Sequence, residues 1–304
     1  MKVKYYVRHA FPAGKQTLID FPQLLLLGAF AGLTIFLGLP FAVIQRVSLK
    51  RKGFLNAVAI GILIFLTVDV FSNAWESTTD AARTAFAGTS SIGDAGLALL
   101  AMFGGIAIGL LGLTWYGTRY MKSSSVQLPI TGTSTSGSSS VASQHELQLL
   151  QQTDAYKLSM MIAVGIGAHN FSEGLAIGQS YATGALGLAI VLIIGFAAHN
   201  TTEGFGIAAP LSGLSKRPSI RFLILLGLVG GGPTFIGTLL GSLWSSTFAY
   251  IFFLSTAGGA LVYVIMLMYN AGRRQVTYNI LMIGFFIGIV AGFLTDLLVT
   301  LGGA

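Results

Sequence analysis

A chain of 304 residues that is 54% hydrophobic and only 9% charged, with a mean hydropathy of +0.78, is too apolar to be an ordinary soluble domain. Cysteine is absent, which excludes disulfides and thiolate metal sites and leaves nitrogen and oxygen ligands for any bound metal. The net charge of +7 sits mostly at loop ends, with no basic patch interleaved with aromatics, so nucleic acid is not an expected partner.

Apolar segments of about twenty residues, each enough to cross a hydrocarbon core of about 30 Å, predict helices near 24–44, 54–74, 95–115, 158–177, 185–208, 222–243, 248–269 and 278–298. The expected fold class is an all-α polytopic membrane protein with eight transmembrane helices in a 3+5 arrangement, multi-pass in the cell membrane, with the lipid bilayer as its solvent. Basic residues cluster in alternate connections: Arg46, Lys50, Arg51 and Lys52 after the first span, Arg119 and Lys122 after the third, Lys216, Arg217 and Arg221 after the fifth, Arg273 and Arg274 after the seventh. The positive-inside rule then places the odd-numbered loops in the cytoplasm and both termini outside. Lys2, Lys4, Arg8 and Lys15 would by themselves draw the N-terminal tail inside, but several internal loops outweigh one tail.

The stretch 121–152 is rich in Ser, Thr, Gly and Gln and is expected to be a flexible cytoplasmic loop. It separates the tail and first three helices (1–120) from helices four to eight (153–304). His145 in this loop stands alone and reads as a solvated residue. The 40 glycines, including Gly104-Gly105, Gly230-Gly231-Gly232 and Gly258-Gly259, suit close helix packing and smooth surfaces between groups of helices.

The fourth span contains His169-Asn170-Phe171-Ser172-Glu173-Gly174, and the fifth repeats the pattern as His199-Asn200-Thr201-Thr202-Glu203-Gly204. An imidazole and a carboxylate at i and i+4 share one helix face. The hairpin around 181–184 is short, so the two helices are expected to be antiparallel neighbours whose motifs face each other near mid-depth. His169, Glu173, His199 and Glu203 make a suitable N2O2 set for Zn2+, and Fe2+, Mn2+, Co2+ or Cd2+ are also compatible. Two carboxylates would leave a bound divalent ion close to neutral. Asn170 and Asn200 can add carbonyl ligands toward a second, weaker position. One repeated half-site suits ion transport, without catalytic residues or a resident cofactor. Rival readings are an intramembrane zinc hydrolase and a non-transporting metal sensor. On the second span, Asp69, Asn73 and Glu76 lie roughly on one stripe at its outer end, a candidate ion route. Asp296 in the last span reads as interfacial, and Ser255, Thr256 and Tyr263 either line a pathway or bond helices together.

At these residues the chain resembles the ZIP (Zrt-, Irt-like protein) family of divalent metal transporters, in particular its prokaryotic GufA-like branch. The resemblance rests on His169-Asn170-Phe171-Ser172-Glu173-Gly174-Leu175-Ala176-Ile177-Gly178 and on His199-Asn200-Thr201-Thr202-Glu203-Gly204. It implies a binuclear metal centre on the transport path, with His169, Glu173, His199 and Glu203 at the primary position and Asn170, Glu173, Asn200 and Glu203 at the secondary one. It also implies elevator-like motion of a transport bundle against a scaffold, often in a homodimer. The chain departs from that branch in three places. Ser172 and Thr202 stand where Pro is usual, and their hydroxyls can bend a helix by bonding to the previous turn. Gly232-Pro233 replaces a Glu-Pro pair, and Asn200 replaces a frequent Asp, so the secondary position carries less negative charge.

Overall fold

In hydrocarbon a backbone must satisfy its own hydrogen bonds, and the long apolar runs of this chain are accordingly helical. The computed structural model describes residues 20–43, 48–121, 139–182, 184, 186–211, 214, 216–243, 246–273 and 275–301. The basic tail with Lys2, Lys4, Arg8 and Lys15, the residues Arg46, Lys122 and Arg274, the side chain of His145 and both termini lie outside them.

The helices are α1 (Phe21–Leu33), α2 (Ile35–Gly38, continued by a 3-10 turn at Leu39–Val43), α3 (Leu49–Phe86), α4 (Ile92–Ala107), α5 (Leu113–Met121), α6 (Ser139–Ala182), α7 (Leu186–Ala208), α8 (Ile220–Leu243), α9 (Thr247–Gly272) and α10 (Tyr278–Leu301). Among the described residues, seven helical stretches are long and apolar enough to cross a membrane. The protein is therefore an all-α, multi-pass membrane protein. α6 is not one of the seven, because His169, Asn170, Ser172 and Glu173 interrupt its apolar run.

Three elements differ from expectation. The first span is broken at Thr34, whose hydroxyl donates to Ala31 O at 2.6 Å and competes with the helix ladder. α3 continues past the expected 54–74 to Phe86, since 75–86 contain neither Gly nor Pro and Arg83 pairs with Asp80 at 3.0 Å. Its 38 residues measure about 57 Å, well beyond a bilayer core. α6 begins at Ser139, so 139–152, expected within the loop, is helical, as its Ala, Gln, Glu and Leu content allows.

α6 is the central helix, buried on most faces from Ser159 to Gly178, and packs most extensively on α8. That contact is backbone to backbone: a Cβ on Gly174 would fall on Thr234 O, and one on Gly237 would fall on Phe171 O. The same kind of approach joins α1 to α8 (Gly32 and Gly231), α2 to α7 (Gly38 and Gly204), α3 to α10 (Gly61 and Gly288) and α4 to α9 (Gly105 and Gly259). With α1 running into α2 at Thr34, these approaches join α1, α2, α6, α7 and α8 into one set; among the remaining helices they pair α3 with α10 and α4 with α9, while α3 meets α9 through side chains, Phe71 against Gly258 and Asn56 against Gly272. Between that set and the remaining helices the tight glycine approaches among the described residues meet side chains instead, as Gly165 meets Val264 and Gly206 meets Met268. The main hydrophobic core lies along this junction, with Ile162, Ile166 and Ile207 facing Leu63, Leu261 and Met268.

Candidate metal centre

α6 and α7 are joined by a tight turn in which Gly184 takes φ +78, so the two motif helices run antiparallel beside each other. His169, Asn170, Glu173, His199, Asn200 and Glu203 are all buried. Glu173 Oε1 lies 2.6 Å from His199 Nε2 and 3.0 Å from His169 Nε2, which places one carboxylate oxygen between the two imidazoles. Glu203 stands farther off, with its Oε1 3.9 Å from His169 Nε2. The imidazole rings are 6.3 Å apart between centroids. Ligand atoms of His169, Glu173 and His199 all fall within 4.8 Å of one another, close enough to share one ion.

Among the described residues, Glu173 Oε2, both carboxylate oxygens of Glu203, His169 Nδ1 and the side-chain carbonyls of Asn170 and Asn200 find no hydrogen-bond partner. An unsatisfied buried polar atom costs on the order of 1–3 kcal/mol, and more where it is charged. A cluster of such atoms made of imidazole and carboxylate groups fits a divalent cation, which would satisfy several of them at once. The same donors are compatible with Zn2+, Fe2+, Mn2+ or Co2+.

The backbone around the motif is held by hydroxyls. Ser172 Oγ donates to His169 O at 2.7 Å, and Thr202 Oγ1 donates to His199 O at 2.6 Å, the same previous-turn bond in both helices. The asparagines have a further role that sequence reasoning missed. Asn170 Nδ2 donates to Gly230 O of α8 at 2.9 Å, and Asn200 Nδ2 donates to Ala31 O of α1 at 2.9 Å. Each motif helix is thereby tied to a neighbour by the amide nitrogen. The only sequence signal was the presence of a residue that both donates and accepts.

Asp69 lies mid-way along α3 rather than at its outer end, because that helix is longer than expected. Its carboxylate accepts a hydrogen bond from Asn73 Nδ2 at 3.1 Å and is within electrostatic reach of His169, Glu173 and Asp296. Ser255, Thr256 and Tyr263 face the α4–α5 side instead: their atoms meet a Cβ built on Gly105, Gly109 and Gly117, and the Thr256 hydroxyl donates to Phe252 O at 2.8 Å.

Fold and site together define a multi-pass membrane protein with a buried His/Glu metal-binding site. The sequence model of one family, described as ZIP Zinc transporter, matches residues 119–299. That is more than half of the chain, and the chain belongs to this family. Proteins of the family are transporters, not enzymes, and the buried site is consistent with divalent metal transport. No curated protein matches the chain.

Proposed function

We propose that this protein carries a divalent metal ion, Zn2+ foremost, into the cytoplasm by alternating access, with the ion held inside the bilayer by His169, Glu173, His199 and Glu203. The observation that carries this reading is the position of Glu173 Oε1 within 3.0 Å of both imidazoles, on two antiparallel helices. A metal at the usual bond lengths of about 2.0–2.2 Å would draw Glu203 inward by a side-chain adjustment. Asn170 and Asn200, with the two glutamates, provide a secondary position that lacks a carboxylate from α8, since Gly232 carries none.

In this reading α6 brings the number of spans to eight, the connection over 121–152, helical from Ser139, joins three spans to five, and both termini lie outside the cell. In the same reading the motif pattern is that of a GufA-like prokaryotic member of the family, and the assembly is a homodimer. The moving body is the set α1, α2, α6, α7 and α8, which carries the site. Backbone contacts hold that set together, whereas its junction with the remaining helices is apolar and made by side chains.

Radiolabelled Zn2+ uptake by the purified protein in proteoliposomes, with Fe2+, Mn2+, Co2+ and Cd2+ as competitors, tests the proposal. Saturable uptake is expected, and its loss in Glu173→Ala at matched protein level. Metal binding without flux would replace transport by sensing, the reading that the missing carboxylate at Gly232 favours. Lipid or peptide hydrolysis without flux would replace it by metalloenzyme chemistry.

A further inference from the structure

Asn170 and Asn200 each follow a motif histidine directly, and both are fully buried. Their side-chain nitrogens donate to Gly230 O and to Ala31 O, each at 2.9 Å. A backbone carbonyl only accepts, so the nitrogen of each amide faces it and the oxygen is turned aside. Those oxygens find no hydrogen-bond partner among the described residues, and Asn170 stands close to the Glu203 carboxylate.

The two acceptors occupy matching places in their own helices. Ala31 lies three residues before Thr34, where α1 breaks from α2, and Gly230 lies three residues before Pro233, inside α8. At the first break Ala31 O also accepts from the Thr34 hydroxyl at 2.6 Å, and Thr201 Oγ1 donates to Thr34 O at 3.4 Å. In α8, Pro233 has no N–H to give to Val229 O, so the helix ladder is one bond short beside Gly230. Each asparagine thus joins a metal motif to the turn where a neighbouring helix is interrupted. α1 and α8 pack on each other, α1 also packs on α7, and α8 packs on α6, so both interruptions lie in helices that enclose the motif pair.

The oxygen and nitrogen of an amide turn together about one bond. Unless an ion sits on Oδ1, that oxygen is a buried acceptor without a donor, and any rotation that finds it one breaks the bond made by Nδ2. An ion on Oδ1 removes that drive to rotate. It also polarises the amide, which strengthens the N–H bond at the other end. We propose that Asn170 and Asn200 are positioning residues that relay ion occupancy to hinges in α8 and α1. An ion on the motifs locks the turns Gly230–Pro233 and Ala31–Thr34, and its departure frees them. The relay rests on the reading of the site as one that takes Zn2+.

The test is amide hydrogen exchange of the full chain in nanodiscs, with and without saturating Zn2+, followed over residues 30–38 and 228–237 alongside an equilibrium Zn2+ titration. In the wild type Zn2+ should slow exchange in both segments roughly threefold to tenfold, the worth of one strengthened hydrogen bond. Asn200→Asp keeps an oxygen on the motif but removes the donor to Ala31 O, so the Zn2+ effect should vanish over 30–38 and persist over 228–237. Asn170→Asp should give the converse pattern, and the segment still protected shows that Zn2+ is bound. Thr201→Val removes a bond to the same turn of α1 from a side chain outside the ion cluster. It should speed exchange over 30–38 equally with and without Zn2+, leaving the Zn2+ effect in place. Loss of the effect in both segments, or in neither, in either Asp variant would overturn the relay. So would its loss in Thr201→Val, in favour of general loosening of α1. A wild type that binds Zn2+ without slower exchange in either segment would overturn the relay alone; one that binds no Zn2+ would overturn the reading of the site with it.

Discussion

Glu173 and Glu203 occupy equivalent places in a repeated motif, yet only Glu173 stands within hydrogen-bond distance of both imidazoles. Replacing it by Gln keeps its shape and removes its charge, so Glu173→Gln should weaken Zn2+ binding by more than the roughly 10–100-fold typical of losing an outer partner of a metal ligand. Asn200→Ala provides the contrast. It removes the amide that ties α7 to Ala31 O, at a cost of about 1–3 kcal/mol in stability. Equilibrium metal titration and thermal unfolding of the two purified variants should show a large affinity loss in the first and a lower Tm in the second. A larger affinity loss in Asn200→Ala than in Glu173→Gln would reverse this assignment of roles. The His and Glu residues were legible in the sequence because a spacing of four fixes a shared helix face. The amide tethers were not, because their acceptors, Gly230 O and Ala31 O, are backbone atoms of other helices.

The contact between α6 and α8 shows what the glycines do as an element. A Cβ on Gly174 would meet Thr234 O, a backbone atom that cannot turn aside, whereas a Cβ on Gly232 would meet nothing within 4 Å. Gly174→Val should therefore cost about 1–3 kcal/mol by forcing the helices apart. Gly232→Ala should be neutral or stabilising by about 0.5–1 kcal/mol. Unfolding midpoints in one detergent check both, and equal effects would mean that glycine content rather than close approach sets the packing. Composition announced close packing somewhere in this chain. Which glycines meet a carbonyl depends on the rotation of each helix about its axis, which local sequence does not specify. Helix ends were similarly uncertain: α3 runs on to Phe86 through polar residues that a hydropathy window excludes, while Thr34 breaks an uninterrupted apolar run.

For the whole molecule, tight glycine–carbonyl approaches hold the set α1, α2, α6, α7 and α8 together, and among the described residues side chains alone mediate its tight glycine contacts with the remaining helices. If that set moves against the remaining helices during transport, a covalent link across the junction should stop flux without destroying the site. The native chain has no cysteine, so the pair Gly165→Cys and Val264→Cys can be oxidised without competing thiols. Oxidation is expected to abolish metal uptake, reductant to restore it, and Zn2+ binding to persist in both states. Undiminished uptake by the fully cross-linked protein would exclude relative motion at this contact.

The sequence alone determined that this chain crosses a membrane repeatedly as helices, because apolar run length and the backbone's need for internal hydrogen bonds leave no other outcome. It also pointed to His169, Glu173 and His199, whose ligand atoms lie within 4.8 Å of one another, because imidazole and carboxylate repeat at helical spacing on helices joined by a short turn. Tertiary structure decided the rest: that Glu173 rather than Glu203 lies between the imidazoles, that Asp69 comes within electrostatic reach of the site, and that α1, α2, α6, α7 and α8 pack as one set through backbone contacts. Each of these depends on the relative rotation and depth of helices distant in sequence, a property of their packing together and of no single segment.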